Sequence, residues 1–94
     1  MISIEKKPVY KLRLSDRASK YLLKLDKKTH KRILDRLEIL RANPYNIPGV
    51  KLMSGYSKPR YRLRIGRYRA VYEIDDKDTV IVILFIGPRG DVYK

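Results

Sequence analysis

The sequence contains no cysteine, no tryptophan and a single histidine, His30. Without cysteine, the chain can form no disulfide bond, no zinc–thiolate cluster and no thiolate nucleophile. One histidine alone cannot supply a metal site or a pair of histidines that act as acid and base. We therefore expect a site that depends neither on a metal ion held by cysteine and histidine nor on thiolate chemistry.

Long apolar segments are also absent. The longest apolar run, Val80–Ile86, has seven residues, whereas a membrane-spanning helix needs about 20. The N-terminal stretch MISIEKKPVYK has no apolar core of the kind found in secretory signals. These absences predict a soluble, cytoplasmic protein with no membrane association.

Negative charge is scarce. Lysine and arginine number 23 against 10 aspartates and glutamates, which gives a net charge of +13 over 94 residues. Such an excess favours a polyanionic partner: a nucleic acid, an anionic membrane surface or an acidic protein. Since 44% of the residues are hydrophobic, we predict one small core and a single domain that covers residues 1–94.

The pattern of apolar residues predicts a strand, two helices and then further strands. Residues Val9–Leu14 alternate between apolar and basic side chains, as a half-buried strand does. Ser15 and Asp26 are suitable N-caps for the two helices, and Asn43-Pro44 ends the second helix. A loop rich in proline and glycine follows, with a short strand at Lys51–Met53, and then come strands at Tyr61–Ile65, Arg67–Ile74 and Thr79–Ile86.

The order of these elements predicts the α+β class. The last strand is apolar on both faces, so we expect it to lie inside the sheet. The N-terminal strand and a three-stranded antiparallel meander complete one sheet, and the helical hairpin packs with both helices on one face.

The strongest local feature is the stretch 58–69, KPRYRLRIGRYR, which holds six basic residues and no acidic one. Side chains alternate along a strand. Alternation therefore places five arginines on one face of a hairpin: Arg60, Arg62, Arg64, Arg67 and Arg69. A solvated basic face and a phosphate-binding site both fit this pattern. Repulsion between facing like charges, and the match between guanidinium and phosphate geometry, favour the phosphate-binding site.

The helices carry further basic residues, for which an ordinary solvated face and a second contact surface for structured RNA both stay open. No glycine-rich phosphate loop, Ser/His/Asp set or pair of carboxylates is evident. The arginine-rich hairpin is thus the principal candidate site.

The element order and motifs together resemble the RelE/ParE toxin superfamily of type II toxin–antitoxin systems, and RelE most closely. The resemblance runs from Val9 to Tyr93 and is most specific at Tyr61–Arg64 (YRLR) and Tyr68–Tyr72 (YRAVY). It implies a RelE-like fold and a ribosome-dependent endoribonuclease that cleaves A-site mRNA and inhibits translation. In that reaction the ribose 2′-hydroxyl attacks the adjacent phosphate without a metal ion or cofactor.

The resemblance also implies roles for individual residues. The catalytic positions are Arg62, Arg64, Arg69, Arg89 and Tyr93. Arg64 and Arg69 are expected to stabilise the phosphorane, Arg89 to lie near the leaving oxygen, and Tyr93 to stack on or orient a nucleotide. Further RNA-binding residues are expected at Lys51, Lys58, Arg60 and Arg67.

The partners implied by the resemblance are the ribosome, mRNA and an acidic, RelB-like antitoxin that wraps the toxin in a hetero-oligomer. Two alternatives stay open. The first is a ParE-like inhibitor of DNA gyrase that shares the fold but has no nuclease activity. The second is a nuclease-dead RNA-binding relative.

Overall fold

A computed structural model describes residues 9–88, which form two helices and one five-stranded sheet. The helices are α1 (Asp16–Leu23) and α2 (Lys27–Ala42). The strands are β1 (Lys11–Leu14), β2 (Val50–Met53), β3 (Arg60–Ile65), β4 (Tyr68–Asp75) and β5 (Val80–Pro88). The predicted α+β class is confirmed, as is the short strand that precedes the meander. No helix within residues 9–88 is long and apolar enough to cross a membrane.

Both helices begin at their predicted N-caps. The Ser15 hydroxyl accepts a hydrogen bond from the Ala18 N–H at 3.1 Å and donates one to the Leu84 carbonyl at 2.8 Å, which joins α1 to β5. The Asp26 carboxylate accepts a hydrogen bond from the Thr29 N–H at 3.2 Å. Hydrogen bonds from Thr29 hold the pKa of Asp26 below its ordinary value. Because a capping side chain is worth about 1 kcal/mol, these two residues fix where each helix starts.

The sheet has the strand order β1-β5-β4-β3-β2. Strands β2 to β5 are antiparallel neighbours, whereas β1 pairs with β5 in parallel. Strand β5 thus lies inside the sheet, as predicted from its apolar residues. Both helices pack on one face, which we call the helix side. The core there consists of Ala18, Leu22, Ile33, Leu37, Leu40, Leu63, Ile65, Ala70, Tyr72, Ile81, Ile83 and Ile86.

A bulge in β5 changes which of its side chains reach the core. Leu84 has no partner opposite it on β4, since the register shifts between Val71 and Tyr72. An extra residue in one strand reverses the alternation beyond it. Ile86 therefore enters the core, whereas Phe85 lies on the opposite face, which we call the open side.

Tyrosine hydroxyls hold the loop between α2 and β2. The phenol of Tyr72 donates a hydrogen bond to the Pro44 carbonyl at 2.6 Å. The phenols of Tyr10 and Tyr45 both donate to the carboxylate of Asp76, in the β4–β5 turn. These bonds lower the pKa of Asp76 and raise the pKa of both phenols, and burial raises the pKa of Tyr72. We call Tyr10, Pro44, Tyr45, Tyr72 and Asp76 the tyrosine cluster. It ties the loop between α2 and β2 to strand β4 and to the β4–β5 turn.

The β3–β4 hairpin corrects one prediction. Strand β4 begins at Tyr68, so Arg67 lies with Gly66 in a two-residue turn and is not part of the strand face. Gly66 has a φ of +59°, which glycine adopts without the steric cost of a side chain. Glycine at the first position is typical of two-residue hairpin turns. Arg67 therefore belongs to the turn, although alternation predicts it on the strand face.

Candidate phosphate-binding site

The open side of the sheet carries the arginines of the hairpin. Leu63 is buried in the core, and its neighbours Arg62 and Arg64 point away from it, as the alternation predicts. Arg64 faces Arg69 across the β3–β4 pair, and Arg62 faces Lys51 across the β2–β3 pair. Four cations from three strands therefore occupy adjacent positions of the sheet.

These cations border a cavity of about 150 Å³, which we call the basic cavity. Its lining consists of Gly49, Val50, Lys51, Arg62, Arg64 and Arg69. Arg69 is only 5% exposed and is the one charged residue that counts as buried within residues 9–88. Its burial follows from its place on β4, which has a strand on either side. A buried charge interacts more strongly with an anion than an exposed one does, and guanidinium groups match the geometry of phosphate.

The loop at the edge of the basic cavity is held close to β3 at Gly49. The Arg64 N–H donates a hydrogen bond to the Gly49 carbonyl at 3.0 Å, and the Arg36 guanidinium donates one to the Pro48 carbonyl at 2.9 Å. Gly49 has a φ of +94°, and a Cβ there would lie 3.2 Å from the Arg64 carbonyl oxygen. Glycine is thus required by both the backbone angle and the close approach.

Acidic side chains are sparse around the basic cavity. Residues 39–72 contain eight lysines and arginines and no aspartate or glutamate. Glu73, just beyond this stretch, accepts a hydrogen bond from the Arg60 Nε at 3.1 Å. Within residues 9–88, no group of three or more His, Cys, Asp and Glu side chains is placed to hold a metal ion. The field at the cavity is therefore set by cations.

The structure brings together four of the residues predicted for the site: Lys51, Arg62, Arg64 and Arg69. Arg60 lies on the same strand face but is ion-paired. Arg67 is exposed in the hairpin turn, and Lys58 is exposed in the loop between β2 and β3. Arg89 and Tyr93 lie outside the described residues.

Sequence reasoning missed two aromatic residues on the open side. Tyr56 lines a neighbouring cavity of about 320 Å³ together with Lys51 and Arg62. Phe85 lies on the open side with the Arg17 guanidinium 4.3 Å from its ring centroid. A signal for Tyr56 was present, because a large aromatic in a loop of serine and glycine has no strand or helix to pack it into a core. No signal for Phe85 was present, because its position depends on the bulge.

The sequence of this chain matches a known family of proteins. The chain matches the family model for the ParE toxin of the type II toxin–antitoxin system parDE over residues 12–93. A RelE-like toxin protein from Escherichia coli is 30% identical over 87 residues, which cover 90% of each chain.

Solved structures agree with these sequence matches. A chain of the archaeal RelE–RelB complex from Pyrococcus horikoshii OT3 superposes with a TM-score of 0.76 at 32% identity, covering 88% of this chain and 98% of that one. The isolated RelE toxin of E. coli superposes with a TM-score of 0.71 at 26% identity, covering 89% and 90%. The resemblance seen in the sequence is thereby confirmed, and the chain belongs to the RelE/ParE superfamily of type II toxin–antitoxin toxins.

Proposed function

We propose that this toxin is an endoribonuclease that cleaves mRNA in the ribosomal A site and so inhibits translation. The observation that carries the proposal is the basic cavity, in which four cations surround a space that suits a phosphate of the RNA backbone. The acid-free stretch around it extends the positive field to neighbouring phosphates.

The reaction that fits this site needs no cofactor. The ribose 2′-oxygen loses its proton and attacks the adjacent phosphorus, while the bond from phosphorus to the 5′-oxygen of the next nucleotide breaks. The 5′-oxygen takes up a proton, and the products are a 2′,3′-cyclic phosphate and a 5′-hydroxyl. Negative charge accumulates on the phosphoryl oxygens in the transition state. Preorganised cations that face those oxygens are usually the largest catalytic contribution.

The arginines of the basic cavity have distinct roles in this scheme. Arg69, held rigidly by its burial, and Arg64, directly opposite it, bind the non-bridging oxygens of the scissile phosphate. Arg62 and Lys51 hold the phosphate of a flanking nucleotide. Guanidinium groups remain protonated at any physiological pH. These arginines therefore stabilise charge and do not remove the proton from the 2′-hydroxyl.

Dependence on the ribosome follows from the geometry of attack. The 2′-oxygen has to lie in line with the breaking bond. An external template that holds the RNA in this arrangement lowers the activation barrier, by about 7 kcal/mol or more in well-oriented systems. The resemblance to RelE assigns Arg89 to the leaving oxygen and Tyr93 to the orientation of a nucleotide.

An antitoxin is the second partner that we propose. The related chains in the P. horikoshii and Mycobacterium tuberculosis structures come from toxin–antitoxin complexes. An acidic, RelB-like antitoxin would complement the charge of +13 and cover the open side of the sheet. Addition of such an antitoxin in equimolar amount should abolish the activity of the toxin.

Inhibition of DNA gyrase is the second candidate function, because the matching family model is that of ParE. A gyrase inhibitor blocks supercoiling in a reaction that contains no ribosomes, whereas the proposed nuclease leaves supercoiling unchanged. The two candidates are therefore separated by paired assays on the same preparation.

The test is primer extension on an mRNA translated in a purified system, with a gyrase supercoiling assay alongside. Wild-type toxin should cut the translated mRNA at a fixed position within codons and cut the same RNA little without ribosomes. Arg69→Ala should lose most of this cleavage. Arg13→Ala is the matched control, because Arg13 is exposed on β1 and its removal changes the net charge by the same amount.

The outcomes discriminate cleanly. Normal cleavage by Arg69→Ala would contradict the assignment of the basic cavity. Absence of cleavage by the wild-type protein, together with blocked supercoiling, would replace the nuclease with the gyrase inhibitor. Equal losses in Arg69→Ala and Arg13→Ala would attribute the effect to net charge alone.

A further inference from the structure

Tyr56 is an aromatic side chain with no place in the core. It lies in the loop between β2 and β3 and is 43% exposed. The guanidinium of Arg60 lies over its ring, 4.5 Å from the centroid. The Nε of Arg60 is in turn held by the carboxylate of Glu73 at 3.1 Å. An exposed ring is thus fixed in place by a chain of two contacts that starts on β4.

The Tyr56 ring lies near the basic cavity. Tyr56 borders two spaces on the open side. One is the cavity of about 320 Å³ that it shares with Lys51 and Arg62, and the other, of about 190 Å³, it shares with Arg60 and Phe85. We call the first space the Tyr56 cavity. Arg60 borders the second space and not the first, so the guanidinium that lies over the ring does not line the Tyr56 cavity.

The Tyr56 cavity adjoins the basic cavity. Lys51 and Arg62 line both spaces. The rest of the lining of the Tyr56 cavity consists of Leu52, Met53 and Ser54. Two cations and an aromatic ring around one cavity are complementary to a nucleotide, whose phosphate is charged and whose base is flat and apolar on its faces.

We propose that the Tyr56 cavity is a nucleobase subsite, in which a base stacks on Tyr56 while the phosphate of the same nucleotide contacts Lys51 and Arg62. This inference rests on the proposed nuclease function, because it places an RNA strand on the open side. The volume of about 320 Å³ lies at the lower end of the range of pockets that hold small organic groups, roughly 300–1,000 Å³.

Arg60 and Glu73 are positioning residues for this subsite. The Arg60 guanidinium lies over the Tyr56 ring, and the carboxylate of Glu73 holds the guanidinium by an ion pair. Because Glu73 neutralises Arg60, the charge of this arginine adds little to phosphate binding. Glu73→Gln should therefore weaken base recognition while it restores the charge of Arg60, so the salt dependence of RNA binding should not fall, whereas Arg62→Ala should reduce that salt dependence.

The experiment compares two RNA probes on the intact toxin. The first is a 2′-O-methyl hexanucleotide, which keeps bases and phosphates but has no 2′-hydroxyl and so cannot be cleaved. The second has the same backbone with abasic residues. Wild-type toxin should bind the base-bearing probe roughly tenfold more tightly than the abasic one, as expected for one stacked base. Tyr56→Ala should lose this preference with unchanged affinity for the abasic probe, and Tyr56→Phe should retain it.

The possible results separate this inference from the proposed function. Equal or undetectable binding of the two probes by wild-type toxin, or an unchanged preference in Tyr56→Ala, would overturn the subsite. A Tyr56→Ala variant that weakens only the binding of the antitoxin would do the same, and would assign Tyr56 to a protein interface. Cleavage of translated mRNA by the wild-type protein is scored independently, so a failure of the nuclease proposal is recognised whatever the probes show.

Discussion

The two faces of the β3–β4 hairpin differ in charge, because the helix side presents Leu63, Ala70 and Tyr72 to the core whereas the open side concentrates arginines. Tyr72 is fully buried, and its phenol is hydrogen-bonded to the Pro44 carbonyl. Three residues earlier on the same strand, Arg69 lies on the open side, where it faces Arg64. Facing like charges destabilise a sheet. The comparison teaches that alternate residues of the same strands build the core on one face and concentrate positive charge on the other.

The sharpest way to test this division is Arg64→Ala. Its removal should lower the cleavage of translated mRNA by about 100-fold or more, the cost of losing one preorganised contact to the transition state. The free energy of unfolding should change by less than about 0.5 kcal/mol, because Arg64 is exposed and faces another arginine. Primer extension and urea denaturation measure the two effects. A large loss of stability with intact cleavage would refute the division.

The reciprocal change is Tyr72→Phe on the helix side. It removes the phenol that satisfies the buried Pro44 carbonyl and should cost about 1–2 kcal/mol of unfolding free energy. Cleavage per folded molecule should stay at the wild-type level. Urea denaturation and primer extension at a temperature well below the midpoint provide the readouts. A variant that is as stable as the wild type would show that the bond contributes nothing.

A smaller effect is expected for the salt dependence of RNA binding. The logarithm of the binding constant falls with the logarithm of salt concentration by about 0.7 for each phosphate contacted on a single strand. Arg62→Ala should reduce this slope by roughly that amount, since Arg62 lines both the basic cavity and the Tyr56 cavity. Tyr72→Phe should leave the slope unchanged. Titrations of a labelled RNA with the wild-type protein and both variants at several salt concentrations would measure these slopes.

The smallest effect concerns alkaline pH and the tyrosine cluster. Tyr72 has its pKa raised by burial, and hydrogen bonds to Asp76 raise the pKa of Tyr10 and Tyr45. A raised pKa contributes stability that is fully present below the unfolded value of 10.0 and is lost as pH rises through the folded value. Wild-type toxin should therefore lose stability above about pH 10, and Tyr72→Phe should lose less over the same interval. Parallel curves for the two proteins would contradict this.

Much of the fold could be predicted because its signals are local. Ser15 and Asp26 carry the side-chain oxygens that cap helices, and the alternation in β3 separates Leu63 from Arg62 and Arg64. Such signals depend only on neighbouring residues. No local feature of the sequence indicates that β1 pairs with β5 in parallel, because the assembly of the whole core decides how distant strands pair.

The candidate site was predicted in part for the same reason. Alternation was sufficient to place Arg62 and Arg64 together, and strand pairing then brought in Lys51 and Arg69. The burial of Arg69 could not be foreseen, because it depends on the strands that flank β4. The positions of Tyr56 and Phe85 depend on a loop conformation and on a bulge, and neither follows from periodicity.

The pairing of β1 with β5 has a consequence for the time at which the toxin becomes active. Lys11 of β1 pairs with Val80 of β5, and Ser15 is bonded to Leu84, so the first strand and helix receive their partner only after every other strand has been synthesised. Contacts between such distant residues form late and slow folding. A nascent chain that stops short of residue 80 lacks the strand that joins β1 to β4. Premature termination should therefore release fragments that are harmless to the cell that makes them.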